Sequence, residues 1–325
     1  MCGDGANDCG ALRAAHAGIS LSEAESSVAS PFTSTVANIS CVLRIIREGR
    51  AALVTSFGIF KFMVLYSLCE FFSTMILYTI DSNLTDFEFL YIDIALVFNF
   101  AFFFGRNHAF SGPLTADTPQ SSLFSHVTLL SMLFQLILMV SMQIVSFVLV
   151  HKFAWFEPFV FTNATSYSCY ENYAVFAISM FQYIILAITF SQGKPYRTPI
   201  YKNKLFTMSI FAMTLACIYI TLYPANAVIQ FLQLRFPPDI HFPLLILYLA
   251  IGNFVLSLFI ENFVIQYLLM NKFKHWNNIK KCKYLAIEHD LDNTFSWPKL
   301  SKQAPVIMTS PSALSLCTTH ESTKL

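Results

Sequence analysis

Charged residues are scarce in this sequence, at 12% of 325 residues, whereas soluble domains carry about 25%. Hydrophobic residues make up 55% and the mean hydropathy is +0.57, which argues against an ordinary soluble domain. The net charge of +1 provides no basic field that would attract nucleic acid. Low charge and high apolar content together predict a polytopic membrane protein.

Paired cysteine motifs and a signal peptide are also missing. The eight cysteines are scattered, without a Cys-x-x-Cys pair or a His-rich partner. This spacing predicts unbridged thiols rather than a disulfide scaffold or a zinc site. The N-terminal stretch MCGDGANDCGAL is polar and glycine-rich, so it lacks the basic and apolar regions of a cleavable signal.

Six long apolar stretches dominate the chain. Each is close to the length of about 20 residues that a helix needs to cross a bilayer, and none alternates like a strand. The predicted spans are 57–79, 88–105, 126–150, 173–191, 205–223 and 244–270. A more polar segment, 1–56, precedes them. The tail, 271–325, is rich in Lys, Ser and Thr and is predicted to be largely disordered.

Lysine and arginine are distributed unevenly around these spans. The cations before the first span or near its start are Arg44, Arg47, Arg50 and Lys61. The loop between the fourth and fifth spans and the tail are also basic, so the positive-inside rule predicts that both termini are cytoplasmic. The opposite loops are poor in cations and contain two glycosylation sequons. Asn163 is the better candidate, since Asn83 lies close to the predicted membrane.

The N-terminal hexapeptide GDGAND has a composition suited to phosphate chemistry. Gly3 and Gly5 permit a tight turn with the backbone close to a ligand. Asp4 and Asp8 offer the hard oxygen ligands that Mg²⁺ prefers, and Asn7 can donate to a phosphoryl oxygen. From composition alone, an acidic glycine-rich turn without a ligand remains the alternative.

Acidic residues inside predicted spans are the second candidate site, because ionisable groups in a membrane are costly and indicate function. Tyr66 and Glu70 are four residues apart and share one helix face, while Asp86, Phe89 and Asp93 share another. Asp86 and Asp93 are separated by roughly 10 Å of helix rise. Two carboxylates at that distance, with aromatic rings between them, suit a linear polycation.

These carboxylates also have a structural interpretation. Glu70 and Asp93 can form interhelical hydrogen bonds, and Asp86 can be a solvated loop charge. For Glu261, in the last span, we expect a structural role.

Further stretches extend the hexapeptide pattern: AGISLS (17–22), SVASPFTS (27–34), EGRAAL (48–53), FKFM (60–63), LYSL (65–68), FQY (181–183) and GKPYR (193–197). Together they resemble the hinge region and membrane segments of P-type cation-transporting ATPases, and in detail the polyamine-transporting group of the fifth class, subgroup B. The resemblance implies that Asp4 helps to hold Mg²⁺ at a phosphorylation site. It also implies that Asn7 and Asp8 support the phosphoryl group.

The fold expected from this resemblance is an all-α polytopic membrane protein. Its six transmembrane helices would be the last six of a ten-helix core, preceded by a short remnant of an α/β, HAD-like phosphorylation domain. The polyamine path in the family is lined by acidic and aromatic residues of the two spans that carry Glu70 and Asp93. The implied partners are a polyamine or another organic cation and the lipid bilayer of an endosomal, lysosomal or other endomembrane.

The sequence departs from the family pattern in one decisive respect. The DKTG motif that carries the phosphorylated Asp is absent, as are the nucleotide-binding and actuator domains and the first four spans. We therefore expect the C-terminal portion of an ATP-driven transporter, which does not hydrolyse ATP alone and is unstable without its missing helices. One alternative is a non-enzymatic truncated isoform that regulates the full-length pump. Another is an unrelated six-span channel or carrier.

Overall fold

The protein, seen in a computed structural model, is described for residues 1–21, 30–36, 38–115, 118–120, 122–159 and 167–265. The predicted tail, the end of the sixth predicted span and Asn163 lie outside these residues. Among those described, six helices are long and apolar enough to cross a membrane, which confirms the all-α polytopic class. They are α2 (Ser40–Tyr78), α3 (Asp86–Phe104), α4 (His126–Val150), α5 (Tyr170–Phe190), α6 (Lys204–Leu222) and α8 (His241–Ile265).

A small α/β segment precedes the membrane helices. Three parallel strands, β1 (Cys2–Gly3), β2 (Ile19–Ser20) and β3 (Phe32–Thr33), pair in that order. The register places Cys2 opposite Ile19 and Ile19 opposite Phe32. Parallel neighbours need a crossover connection, and α1 (Cys9–Ala14) supplies it between β1 and β2. Leu12 of this helix is buried, so the segment has a small apolar core.

Helix α2 is much longer than the span predicted for it. It begins at Ser40 and contains 39 residues, which corresponds to a rod of roughly 59 Å. Residues 40–56, which precede the first predicted span, are therefore helical and continuous with it. Leu65, Cys69, Ser73 and Leu77 are buried at intervals of four residues, so one stripe of the rod faces its neighbours.

Helix α5 is the centre of the bundle. It packs against each of the other five long helices, and nearly all of its residues are buried. Because no side of α5 is left for lipid, its polar side chains must find partners among the surrounding helices. A short helix, α7 (Asn226–Leu232), connects α6 to α8.

Two loops at one end of the bundle are joined by backbone hydrogen bonds. The amide of Phe110 donates to the carbonyl of Tyr196 (3.0 Å), and the amide of Thr198 donates to that of His108 (2.9 Å). Beneath them Arg197 is fully buried, and its Nη2 donates to the carbonyl of Phe104 at the end of α3 (2.8 Å). Burial lowers the pKa of Arg197 to about 10, so this residue is still a cation at neutral pH.

Candidate functional site

The hexapeptide forms a tight loop between β1 and α1. The carboxylate Oδ2 of Asp8 accepts a hydrogen bond from the backbone amide of Asp4 (3.1 Å), and the amide of Asp8 donates to the carbonyl of Gly5 (3.1 Å). A Cβ atom at Gly3 would lie 2.5 Å from Asp8 Oδ2. Glycine is therefore required at position 3, because any side chain would displace the carboxylate that organises the loop.

This loop presents two carboxylates of the kind that Mg²⁺ binds. Asp4 and Asn7 are exposed, and Asp8 is half-buried with one carboxylate oxygen engaged by the loop itself. Among the described residues, no group of three or more His, Cys, Asp or Glu side chains is placed to hold a metal ion. Mg²⁺ commonly takes one or two carboxylates and completes its shell with water and phosphate. The pair Asp4 and Asp8 fits that requirement only as a partial set of ligands.

The two predicted membrane carboxylates, Glu70 on α2 and Asp93 on α3, lie on neighbouring helices and within electrostatic range of each other. Glu70 is half-buried and Asp93 is exposed at the surface of the bundle. Asp93 belongs to a π-helical segment, Tyr91–Phe98, within α3. Such wide turns occur frequently at functional sites. Among the described residues, no salt bridge joins Glu70 or Asp93 to a cationic side chain.

The other predicted path residues occupy different surroundings. Asp86 is exposed in the first turn of α3, and Phe89 is half-buried against the apolar core. The ring of Tyr66 packs against Phe62 and Tyr183, with centroids 6.4 and 6.5 Å away. Tyr66 thus takes part in helix packing, while Asp86 provides a further negative charge near one end of the helix that carries Asp93.

Lys61 is the main residue that sequence reasoning misplaced. The flanking role predicted for it is wrong, because Lys61 lies deep in α2 with 8% of its surface exposed. Its Nζ donates to Ser131 Oγ of α4 (2.8 Å) and to Glu261 Oε1 of α8 (3.1 Å). Ser131 Oγ in turn donates to Glu261 Oε2 (2.7 Å). We call Lys61, Ser131 and Glu261 the anchor triad.

A second polar cluster lies in the middle of the bundle. Gln143 Nε2 of α4 donates to Ser73 Oγ of α2 (2.8 Å) and to Gln182 Oε1 of α5 (3.0 Å). The thiol of Cys69 donates to the same Gln182 oxygen (3.2 Å), and Gln182 Nε2 donates to the carbonyl of Met139 (3.0 Å). All these side chains are buried, so the cluster ties α2 to α4 and α5 in the apolar interior.

Glu88 is a buried carboxylate that sequence reasoning missed. It forms a capping box with Thr85 at the start of α3, in which its Oε2 accepts from the amide of Thr85 (2.6 Å). The same oxygen accepts from Asn172 Nδ2 of α5 (3.1 Å). The signal was present in the sequence, because Thr85-x-x-Glu88 before an apolar run has the spacing of a capping box.

Comparison with known proteins places the chain in a family. No protein-family model matches it. The chain is 42% identical over 324 residues to polyamine-transporting ATPase 13A3 of Macaca fascicularis, covering 92% of this chain and 26% of that protein. Against polyamine-transporting ATPase 13A3 of Homo sapiens the identity is 47% over 257 residues, with 72% and 21% covered. Against probable cation-transporting ATPase catp-6 of Caenorhabditis elegans it is 42% over 285 residues, with 86% and 22% covered.

These alignments have two consequences. The chain spans about a quarter of the length of the curated relatives it matches. The alignments with the primate and nematode relatives each cover 72% or more of this chain. They confirm the resemblance expected from the hexapeptide and the membrane segments. The chain is therefore homologous to one portion of the polyamine- and cation-transporting ATPases of the 13A family.

Proposed function

We propose that this chain forms a membrane-embedded portion of an ATP-driven transporter of polyamines or other organic cations. The observation that carries the proposal is the pair Glu70 and Asp93, two carboxylates within electrostatic range of each other on the neighbouring helices α2 and α3, with Asp93 on the π-helical segment. Mutual repulsion makes the pair unfavourable without a cation and favourable with one. A polycation with several ammonium groups matches this negative charge. The names of the chain's relatives indicate the same class of substrate.

The path for the cation is proposed to run along α2 and α3. Asp86 extends the negative charge along α3, so successive ammonium groups of a linear polyamine can each meet a carboxylate. Phe89 is the nearest aromatic candidate for a cation–π contact, since it lies on α3 between Asp86 and Asp93. Tyr66 lies one helical turn before Glu70 on α2, and its ring packs against Phe62 and Tyr183. We assign it a role in stabilising the side of the path that carries Glu70.

The proposed ATP-dependent step uses the hexapeptide loop. Asp4 and Asp8 would supply carboxylate oxygens to Mg²⁺, and Asn7 would donate to a phosphoryl oxygen. Mg²⁺, when bound there, neutralises negative charge on the phosphoryl group. The phosphorylated Asp and the nucleotide-binding domain belong to a longer pump, because this chain contains no DKTG sequence. On this proposal the chain alone does not hydrolyse ATP.

The orientation proposed for the chain follows the distribution of cations. The hexapeptide, the loop with Lys194 and Arg197, and the tail would lie in the cytoplasm, and the loop with Asn163 would lie in the lumen of an endosome, lysosome or related compartment. An even number of crossings, six in the described part, agrees with termini on one side.

A chimeric pump tests the proposal. In human polyamine-transporting ATPase 13A3 the aligned portion is replaced by this chain, and ATP hydrolysis in membranes is measured against spermine concentration. We expect spermine to stimulate hydrolysis. Glu70→Gln and Asp93→Asn should each raise the KM for spermine at least about tenfold, the effect of losing roughly 1.4 kcal/mol of binding.

Glu48→Gln is the matched control, since Glu48 is exposed on the same helix α2 but outside the predicted span. It should leave the spermine dependence unchanged. A chimera that folds and hydrolyses ATP without any response to spermine would contradict the proposed function, as would variants of Glu70 and Asp93 that behave like the parent chimera.

A second candidate is a non-enzymatic partner of the full-length pump. One observation favours it: α5 is enclosed by five helices, so the bundle closes around a core of its own. If the chain acts this way, it should co-purify from native membranes with a pump of roughly four times its length and alter that pump's ATP hydrolysis. Purification of the chain free of any pump would argue against this role.

A further inference from the structure

The anchor triad connects three helices that are distant in sequence. Lys61 and Glu261 are 200 residues apart, and Ser131 of α4 hydrogen-bonds to both. The ammonium group of Lys61 also lies 5.0 Å from the centroid of the Phe190 ring at the end of α5. Glu261 has 1% of its surface exposed. An ion pair this deeply buried tolerates little displacement, because either charge without its partner would be left in apolar surroundings.

The anchor triad and Glu70 lie on opposite sides of helix α2. Lys61 and Glu70 are separated by nine residues of α2, which is about two and a half helical turns and a rise of roughly 13 Å. Because this separation is two full turns plus half a turn, the two side chains lie on opposite faces of α2. A rotation of α2 about its own axis would therefore move both groups in opposite directions, and a shift along the axis would move them together.

No other described charged residue on α2 is held by a salt bridge to a neighbouring helix. The central cluster around Gln143 also fastens α2, but with neutral hydrogen bonds, which tolerate rearrangement at a lower cost than a buried ion pair.

We propose that Lys61 is a positioning residue for cation binding: its ion pair with Glu261 fixes the rotation and height of α2, and so sets the position of Glu70 relative to Asp93 on α3. Lys61 makes no contact with the cation in this scheme. It acts through the rigid helix, which transmits the constraint from one face to the other. The positioning of α2 stands on the geometry alone, whereas its consequence for transport rests on the proposed function.

A distance measurement on the whole chain tests the positioning. Spin labels attached to unnatural amino acids replace Phe71 on α2 and Phe98 on α3, two residues that are 55% and 69% exposed. Double electron–electron resonance then reports the distance between the two helices in lipid nanodiscs. We expect Lys61→Met to broaden the distance distribution. The charge-swapped pair Lys61→Glu with Glu261→Lys should restore a narrow one.

Gln135→Leu is the matched control. Gln135 of α4 hydrogen-bonds to Ser257 of α8 (3.0 and 2.9 Å), so the change removes a polar link between the same two helices without touching α2. It should lower thermal stability and leave the distance distribution narrow. Should Lys61→Met fail to yield folded protein, Ser131→Ala, which loosens the triad while keeping both charges, should give the same broadening. A narrow, parent-like distribution in whichever of these variants folds would overturn the proposal.

The chimeric pump provides the functional readout. Lys61→Met is expected to raise the KM for spermine roughly three- to thirtyfold, the range of modest coupling energies between distant groups, with a smaller change in kcat. Lys61→Arg should recover most of the affinity. If the parent chimera ignores spermine, the proposed function fails while the distance measurement still decides the positioning. If spermine dependence is normal in Lys61→Met, the link between α2 and cation binding is refuted.

Discussion

Single side chains in this protein show how strongly a buried charge depends on its partner. Lys61 lies near a predicted membrane edge, where a lysine would ordinarily extend its ammonium group toward water. It turns inward instead, because Glu261 and Ser131 offer an ion pair and a hydrogen bond in the interior. Linear distance from the end of an apolar run therefore does not decide whether a lysine flanks a span or lies within it.

Cysteine reactivity gives a prediction at the same scale. Cys169 lies just before α5 and is 1% exposed, and its Sγ accepts from the amide of Asn172 (3.2 Å). Burial raises the pKa of its thiol to about 12. The thiolate is the reactive form, so alkylation by N-ethylmaleimide should be slow at pH 8. Its rate should rise about tenfold per pH unit up to the pKa.

Peptide mass spectrometry after timed labelling in detergent measures this rate. The half-exposed Cys41 in the same sample is the internal control for reagent activity. Labelling of Cys169 as fast as Cys41 at pH 8 would contradict the buried environment.

Helix α2 illustrates how an element extends beyond its apolar core. Residues 40–56 are too polar to be counted in a membrane span, yet they continue the same helix, since no proline interrupts it. Packing against α3 and α5 then depends on a close approach at Gly58. A Cβ there would lie 2.8 Å from Phe104 Cζ and 2.9 Å from the carbonyl oxygen of Phe190.

Two glycine substitutions in α2 should have opposite effects. Gly58→Ala is expected to lower the free energy of unfolding by about 1–3 kcal/mol, because the new methyl group meets a backbone oxygen that cannot move aside freely. Gly49→Ala has no atom within 4 Å of the added Cβ and should raise stability by roughly 0.5–1 kcal/mol through helix propensity. Thermal unfolding in detergent, followed by circular dichroism, measures both. Equal effects of the two changes would contradict the close packing at Gly58.

The whole molecule is organised around α5. Because five long helices surround it, this helix is buried on all sides, and polar residues such as Gln182 and Asn172 are tolerated there through interhelical hydrogen bonds. The instability expected for six spans without further helices stays a prediction. In the described bundle, the enclosed core around α5 is the feature that would stabilise the six helices without further partners.

Membrane topology is testable at this scale. If the loop with Asn163 is lumenal, the chain expressed in mammalian cells should carry an N-glycan there. Asn163→Gln should then abolish the shift in electrophoretic mobility that an endoglycosidase removes. Asn38→Gln, which alters a sequon on the proposed cytoplasmic side, serves as the control and should keep the shift. A glycan lost only in the Asn38 variant would reverse the proposed orientation.

The candidate site was predictable in part. Glu70 and Asp93 are proposed from sequence because a carboxylate within an apolar run is costly and therefore informative by itself, and their role in cation binding stays a prediction. Their proximity was not predictable, since the two residues lie on different helices. Glu88 has a local signal in the sequence, the capping-box spacing Thr85-x-x-Glu88. The triad had no local signal, because Ser131 and Glu261 become partners of Lys61 only when α4 and α8 pack beside α2.

The class of the protein and the six membrane helices of its described part follow from the sequence alone. A run of apolar residues long enough to cross a bilayer must satisfy its own backbone hydrogen bonds, and it does so as a helix whatever its neighbours are. The packing of the helices was needed to show that α5 is central, that Lys61 pairs with Glu261, and that Glu70 and Asp93 are within electrostatic range of each other. Those pairings depend on which helix faces meet, and apolar faces in a membrane are too alike in composition for sequence periodicity to tell them apart.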